Sequence, residues 1–230
     1  MSLLAILLFA GTMGLSLWAT MRVRQVYSRF SQLPAVSGVS GAEAAATILR
    51  QEGIYDVEIV EHDQTLADHY DPANKRLVLC RENYYGTSVA ALGVAAHEVG
   101  HAMQHKCEYG PLQWRMAAVG ITTFASQIVL WLPLLGLFTG FLSGKLALAI
   151  VAGAWGILML FNLITLPVEF DASRRAKLAL VRLGLLGTAQ EEAGVHAVLS
   201  AAAWTYVAAF ITSLVYFLMH LLPLLTGQRE

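Results

Sequence analysis

The sequence predicts a mainly α membrane protein: four transmembrane helices, with a smaller α+β region held on one side of the bilayer. Three observations carry that prediction. Of the 230 residues, 57% are hydrophobic and only 13% charged, about half the charged share of an ordinary soluble domain. Four stretches, Leu3 to Met21, Ala117 to Phe138, Leu146 to Leu166 and Ala201 to Leu222, contain no Asp, Glu, Lys or Arg. Each is close to the roughly 20 residues that cross a bilayer. The charged residues gather between these stretches, above all in a block from about Ser31 to Trp114.

The chain divides accordingly. Residues 1–30 form an anchor helix and its basic junction, 31–115 a polar region, and 116–166 two spans. Residues 167–200 form a second polar, helical segment, and 201–230 the last span and tail. The first span lacks a basic segment before it and has its basic residues after it, so an uncleaved anchor is expected rather than a secretory signal. Within the polar block, Ser37-Gly38-Val39-Ser40-Gly41 offers a helix cap, and Ala42 to Glu52 reads as a short helix stopped by Gly53. Val57 to Val60 is strand-like. Leu66 to Tyr70 and Arg76 to Cys80 flank the turn Asp71-Pro72-Ala73-Asn74 as a β-hairpin. A long helix begins at Thr87 or Ser88 and ends near Lys106. After the third span, Pro167 is expected to restart the chain as a new helix.

Arginine and lysine close to the span ends set the orientation. Arg22, Arg24 and Arg29 follow the first span and Arg115 precedes the second. Arg174, Arg175, Lys177 and Arg182 lie between the third and fourth, against Lys145 alone in the short turn between spans two and three. Both polar regions are expected in the cytoplasm, the chain being multi-pass in the cell (inner) membrane. A net charge of -1 gives no reason to expect nucleic acid as a partner. Cys80 and Cys107 are too few for a disulfide framework and are read as reduced thiols.

The run His97-Glu98-Val99-Gly100-His101 lies inside the long helix. Histidines four apart on a helix face the same side and can share one zinc ion, while the intervening glutamate can act on a water. Small neighbours leave room for a metal and a substrate. A catalytic zinc takes three protein ligands. Cys107 stands where an extended histidine pattern would place the third. His105 continues the same helix face, as a residue behind the ligands or facing substrate, and Glu108 is a weaker candidate. Glu169 is the better one: spans two and three form a pair, which returns it to the side of the membrane that holds His97 and His101.

His97 to His105, Ala67-Asp68-His69-Tyr70-Asp71-Pro72, and Leu166-Pro167-Val168-Glu169-Phe170-Asp171-Ala172-Ser173-Arg174-Arg175-Ala176 together resemble the YugP-like membrane zinc metallopeptidases of bacteria. The resemblance covers nearly the whole chain and implies peptidase activity without naming a substrate. A looser similarity to HtpX-type membrane proteases, whose later Glu-x-x-x-Asp helix supplies the third ligand, implies that role for Glu169. Here Ser173 stands in place of that aspartate, so Ser173, Asp171 and Asp68 all remain open as the group that orients a ligand histidine.

The resulting expectation is one Zn²⁺ per chain, held by His97, His101 and Glu169, with Glu98 as general base. His69, Tyr70 and His105 are the candidate oxyanion donors. The hairpin is expected to offer an edge for substrate pairing. Trp114, at the junction with span two, places the site close to the membrane surface. Its substrates would be membrane proteins, their juxtamembrane segments, or peptides released nearby. Gln127, Asn162 and Thr205 inside the spans are expected to bond helix to helix. The rival readings are a catalytically silent zinc-binding membrane scaffold, which has no need of Glu98, and a metal transporter. The transporter is disfavoured by spans without acidic or basic residues.

Overall fold

A computed structural model describes residues 3–63, 67–139 and 144–226. The elements are α1 (Leu3–Ser31), α2 (Gly41–Gln51), β1 (Glu58–His62), β2 (His69–Asp71), β3 (Arg76–Cys80) and α3 (Arg81–Tyr85). They continue with α4 (Val89–Lys106), α5 (Gly110–Thr139), α6 (Gly144–Arg182) and α7 (Ala189–Thr226). Four of these, α1, α5, α6 and α7, are long and apolar enough to cross a membrane, as the bare stretches predict. Their most apolar windows are between 6% and 17% buried within the chain, so most of that apolar surface is left for lipid.

The chain forms two compact units. The first holds the apolar stretches: Met1–Trp18, Gln113–Leu166 and Thr205–Glu230. Within it α6 packs on α7. Trp155 stacks on Tyr216 with ring centroids 4.7 Å apart, and Gly156 leaves just enough room for the Phe217 ring. Asn162 donates to Ala209 O at 3.2 Å and to Ser213 Oγ at 3.1 Å, the expected helix-to-helix bond. Gln127 does otherwise: its Oε1 accepts from Trp131 Nε1 one turn along the same helix, at 2.9 Å.

The second unit comprises Ala19–Leu112 and Pro167–Trp204. Ser40 and Glu43 close a reciprocal capping box on α2, and Gly53 stops that helix with a φ of 64°, which only glycine adopts freely. Its apolar stripe, Ala44, Ala45, Ile48 and Leu49, is buried against α4 and the sheet residues Leu77 and Leu79. The sheet has the order β1-β3-β2: β1 lies parallel to β3, and β2 antiparallel to it, with Tyr70 opposite Leu77. The hairpin therefore forms, but its first strand is the short β2; Leu66 lies outside the described residues. Asp71 makes the turn by accepting from the backbone N–H groups of Ala73 and Asn74 at 2.9 and 3.2 Å. The parallel pairing of β1 and the short helix α3 have no local sequence signal. Near the linker to α7, the buried Glu191 carboxylate accepts from Val36 N–H at 3.0 Å and Gly187 N–H at 2.8 Å.

Pro167 does not restart the chain. It sits inside α6, which runs unbroken for 39 residues. Proline removes one helix hydrogen bond, but Thr165 and Val168 on either side of it are buried, at 4% and 0% exposure, and their packing carries the helix through. The polar segment after the third span is thus the end of α6, a linker at 183–188 and the start of α7.

Candidate metal centre

Ser88 caps α4 by accepting from Ala91 N–H at 3.2 Å, so the helix starts where its sequence signal lies. The i, i+4 spacing brings the His97 and His101 rings to 4.8 Å between centroids, nearly perpendicular at 81°. The third group comes from α6. Glu169, 2% exposed, lies with Oε2 3.2 Å from His97 Nε2 and 3.7 Å from His101 Nε2. One ligand atom from each of the three lies within 4.8 Å of the others. Gly100 permits this approach: a Cβ there would stand 2.5 Å from the Ala172 carbonyl oxygen. The small residue in the motif admits the α6 backbone, rather than leaving room for metal and substrate as expected.

The far nitrogens of the two rings are also engaged. His97 Nδ1 meets Ser173 Oγ at 3.2 Å, and His101 Nδ1 meets Gln104 Oε1 at 3.0 Å. An amide oxygen only accepts, so His101 Nδ1 carries a proton, and Nε2 is the ring atom turned toward Glu169. Gln104 is itself fully buried and donates to Val168 O at 2.8 Å and to Asp171 Oδ2 at 3.0 Å. Asp171 in turn accepts from Arg175 Nε at 2.5 Å and from Arg174. Two imidazole nitrogens and one carboxylate oxygen, converging with their rings held from behind, are a donor set that fits zinc. Burial works against charge on His101, but the Glu169 carboxylate, helped by Glu98, more than offsets it and holds the imidazole above its ordinary pKa. Glu98, between the two histidines, is 7% exposed.

The family model described as "Putative neutral zinc metallopeptidase" matches residues 5–225. The chain belongs to that family. It is 42% identical over 228 residues to the "Putative membrane protease YugP" of Bacillus subtilis (strain 168), covering 99% of this chain and 100% of the relative. No solved structure matched.

Of the other residues that the sequence singled out in this zinc metallopeptidase family member, the structure gathers some and scatters others. Ser173 and, through Gln104, Asp171 are joined to His97 and His101. Asp68 is not: its oxygens accept from Cys80 N–H at 2.8 Å and Asn83 Nδ2 at 2.9 Å. Asn83 also accepts from Tyr27 OH at 2.8 Å, so Asp68 ties the hairpin to α3 and α1. His105 and Tyr70 come together, with 2.8 Å between Tyr70 OH and His105 Nδ1. Burial, and then Asp56 and Asp71, push the Tyr70 phenol up to about 12. His69 is exposed, its Nδ1 against Ala67 O at 2.8 Å. Neither cysteine is in a disulfide; Cys80 is buried and Cys107 exposed. Gln104 was missed, although its i+3 spacing from His101 puts both side chains on one helix face.

Proposed function

We propose that this chain is a membrane-bound zinc endopeptidase that hydrolyses peptide bonds at the cytoplasmic membrane surface. The observation that carries the reading is the convergence of His97, His101 and Glu169, with both histidines held from behind and a buried Glu98 between them in the sequence of α4. His97 Nε2, His101 Nε2 and the Glu169 carboxylate would hold one zinc ion. When bound, zinc acts as a Lewis acid and lowers the pKa of a water to roughly 7.

Glu98 then takes a proton from the attacking water and delivers it to the leaving amine. Ser173 and Gln104 keep the imidazoles turned, so that their Nε2 atoms stay available. The charge developing on the scissile carbonyl oxygen needs a further donor. Tyr70, half-buried and paired with His105, is favoured over the exposed His69. β2 is an edge strand, which supports pairing of an extended substrate along it. The basic residues at the span ends support a cytoplasmic site, and Glu169 follows the third apolar stretch by only three residues, which supports substrates at or near the bilayer.

The test compares wild type and Glu98→Gln purified in detergent, each assayed for bound zinc and for cleavage of casein and of membrane extract. One zinc in both, with cleavage at least about 10²-fold lower in the variant, is the expected result. Equal zinc and equal cleavage would remove Glu98 from the mechanism. Zinc in both and cleavage by neither would favour the scaffold reading.

A further inference from the structure

Beyond the ligand histidines, the end of α4 borders a cavity of about 490 Å³ whose walls include Ile54, Val57, Tyr70, Ala102 and His105. We propose that this cavity receives a bulky apolar side chain of the substrate, one or two residues from the cleaved bond, and that Ala102 sets its depth. The inference rests on the peptidase reading above and adds a specificity to it.

Position is the first argument. Ala102 follows His101 directly, and His105 lies four residues on, about 6 Å along the helix axis. An extended peptide advances about 3.3 Å per residue. A peptide that runs along α4 toward His105, with its scissile carbonyl at His97 and His101, therefore brings a side chain to this cavity one or two residues away. Tyr70 lines the cavity and also lies on the edge strand β2, so a peptide paired there would run beside the opening.

Chemistry is the second argument and selects the occupant. The charged groups and the histidine around the cavity are each bonded within the chain. Asp56 is paired with Lys75. Lys106 donates to the carbonyl oxygens of Glu52 and Gly53, and His105 is bonded to Tyr70. A charged or strongly polar side chain would lose water here and would have to compete with those internal bonds. The remaining walls, Ile54, Val57 and Ala102, reward apolar surface. Tyr55, also on the lining and 82% exposed, presents an aromatic ring that such an occupant would cover. The volume is ample for a Leu, Met or Phe side chain.

The test is digestion of a peptide mixture by the full-length protein in detergent, with the residues flanking each cut read by mass spectrometry. Wild type is expected to prefer Leu, Met or Phe over Ala at one position within two residues of the cut. Ala102→Leu should lower that preference at least about tenfold, and Val57→Ala should shift it toward the aromatic residue. Zinc content and thermal unfolding of both variants identify a folding failure, in which case the other variant decides. Cleavage by folded variants with an unchanged flanking profile overturns the cavity assignment and leaves the peptidase reading standing. Zinc-loaded wild type that cuts nothing overturns the peptidase reading and this inference with it.

Discussion

At the scale of single residues, the two candidate ligand histidines are steered by different devices. His97 has a hydroxyl behind it, and His101 an amide fixed in turn by Asp171 and a backbone carbonyl. Ser173→Ala should therefore weaken zinc affinity by about tenfold and leave the fold intact. Gln104→Ala should cost 10- to 100-fold and lower Tm as well, because it strands several buried polar groups. Titration against a chromophoric chelator, with thermal unfolding alongside, separates the two. Protons compete with the metal for His101. Its raised pKa extends that competition above the ordinary imidazole range, so zinc affinity should climb with pH until the raised value is passed, with proton release on binding. In the metal-free chain the same group stabilises the fold fully below the unfolded imidazole pKa, and that contribution fades as pH rises through the folded one. pH-dependent zinc titration and apo-protein melting check the two signs; a flat affinity across this window would refute the coupling.

Among the elements, the contact of α4 with α6 decides whether a site exists. Gly100 meets the Ala172 backbone, one turn of α6 from Glu169. Adding a methyl group at Gly100 should push the helices apart, cost about 1–3 kcal/mol and reduce zinc loading together with Tm. A Gly100→Ala protein with normal zinc would show that the helices can yield without losing the site. Pro167 illustrates the same dependence on packing: in sequence it reads as a break, but buried neighbours hold α6 through it. Glu191, bonded to the N–H groups of Val36 and Gly187, holds the segment before α2 to the segment before α7. Glu191→Ala should destabilise the fold by about 1–3 kcal/mol, the net worth of two hydrogen bonds to a buried carboxylate, without changing zinc affinity per folded molecule. Chemical denaturation and zinc titration of the same preparation test this.

For the whole molecule, the proposed topology makes a prediction that needs no activity assay. Cys107 is exposed, free and in the polar block, whereas Cys80 is buried. A membrane-impermeant maleimide should label Cys107 only after cells are permeabilised. Labelling of intact cells would place the site on the outer face and reverse the orientation read from the basic residues. The labelled residue is identified by repeating the reaction on Cys107→Ser.

Local features of the chain determined the four apolar spans, the start and end of α4, the cap of α2 and the pairing of His97 with His101. Each depends on composition or on a spacing within one element, and short-range physics reads those directly. Glu169 was legible as a candidate because an even number of apolar spans separates it from His97 and His101. What only the tertiary structure decided was its arrival between the two histidines, which depends on how closely α6 can approach Gly100. The same holds for the choice among Ser173, Asp171 and Asp68. All three are polar residues near a motif, but Ser173 meets a ligand histidine, Asp171 acts through Gln104, and Asp68 is taken up by Cys80 and Asn83. The contacts that join Asp171, Glu169 and Ser173 to α4 span 67, 72 and 76 positions, and they form only when the core of α2, the sheet, α4 and α6 packs; Asp68 is bound 12 and 15 positions away, to Cys80 and Asn83.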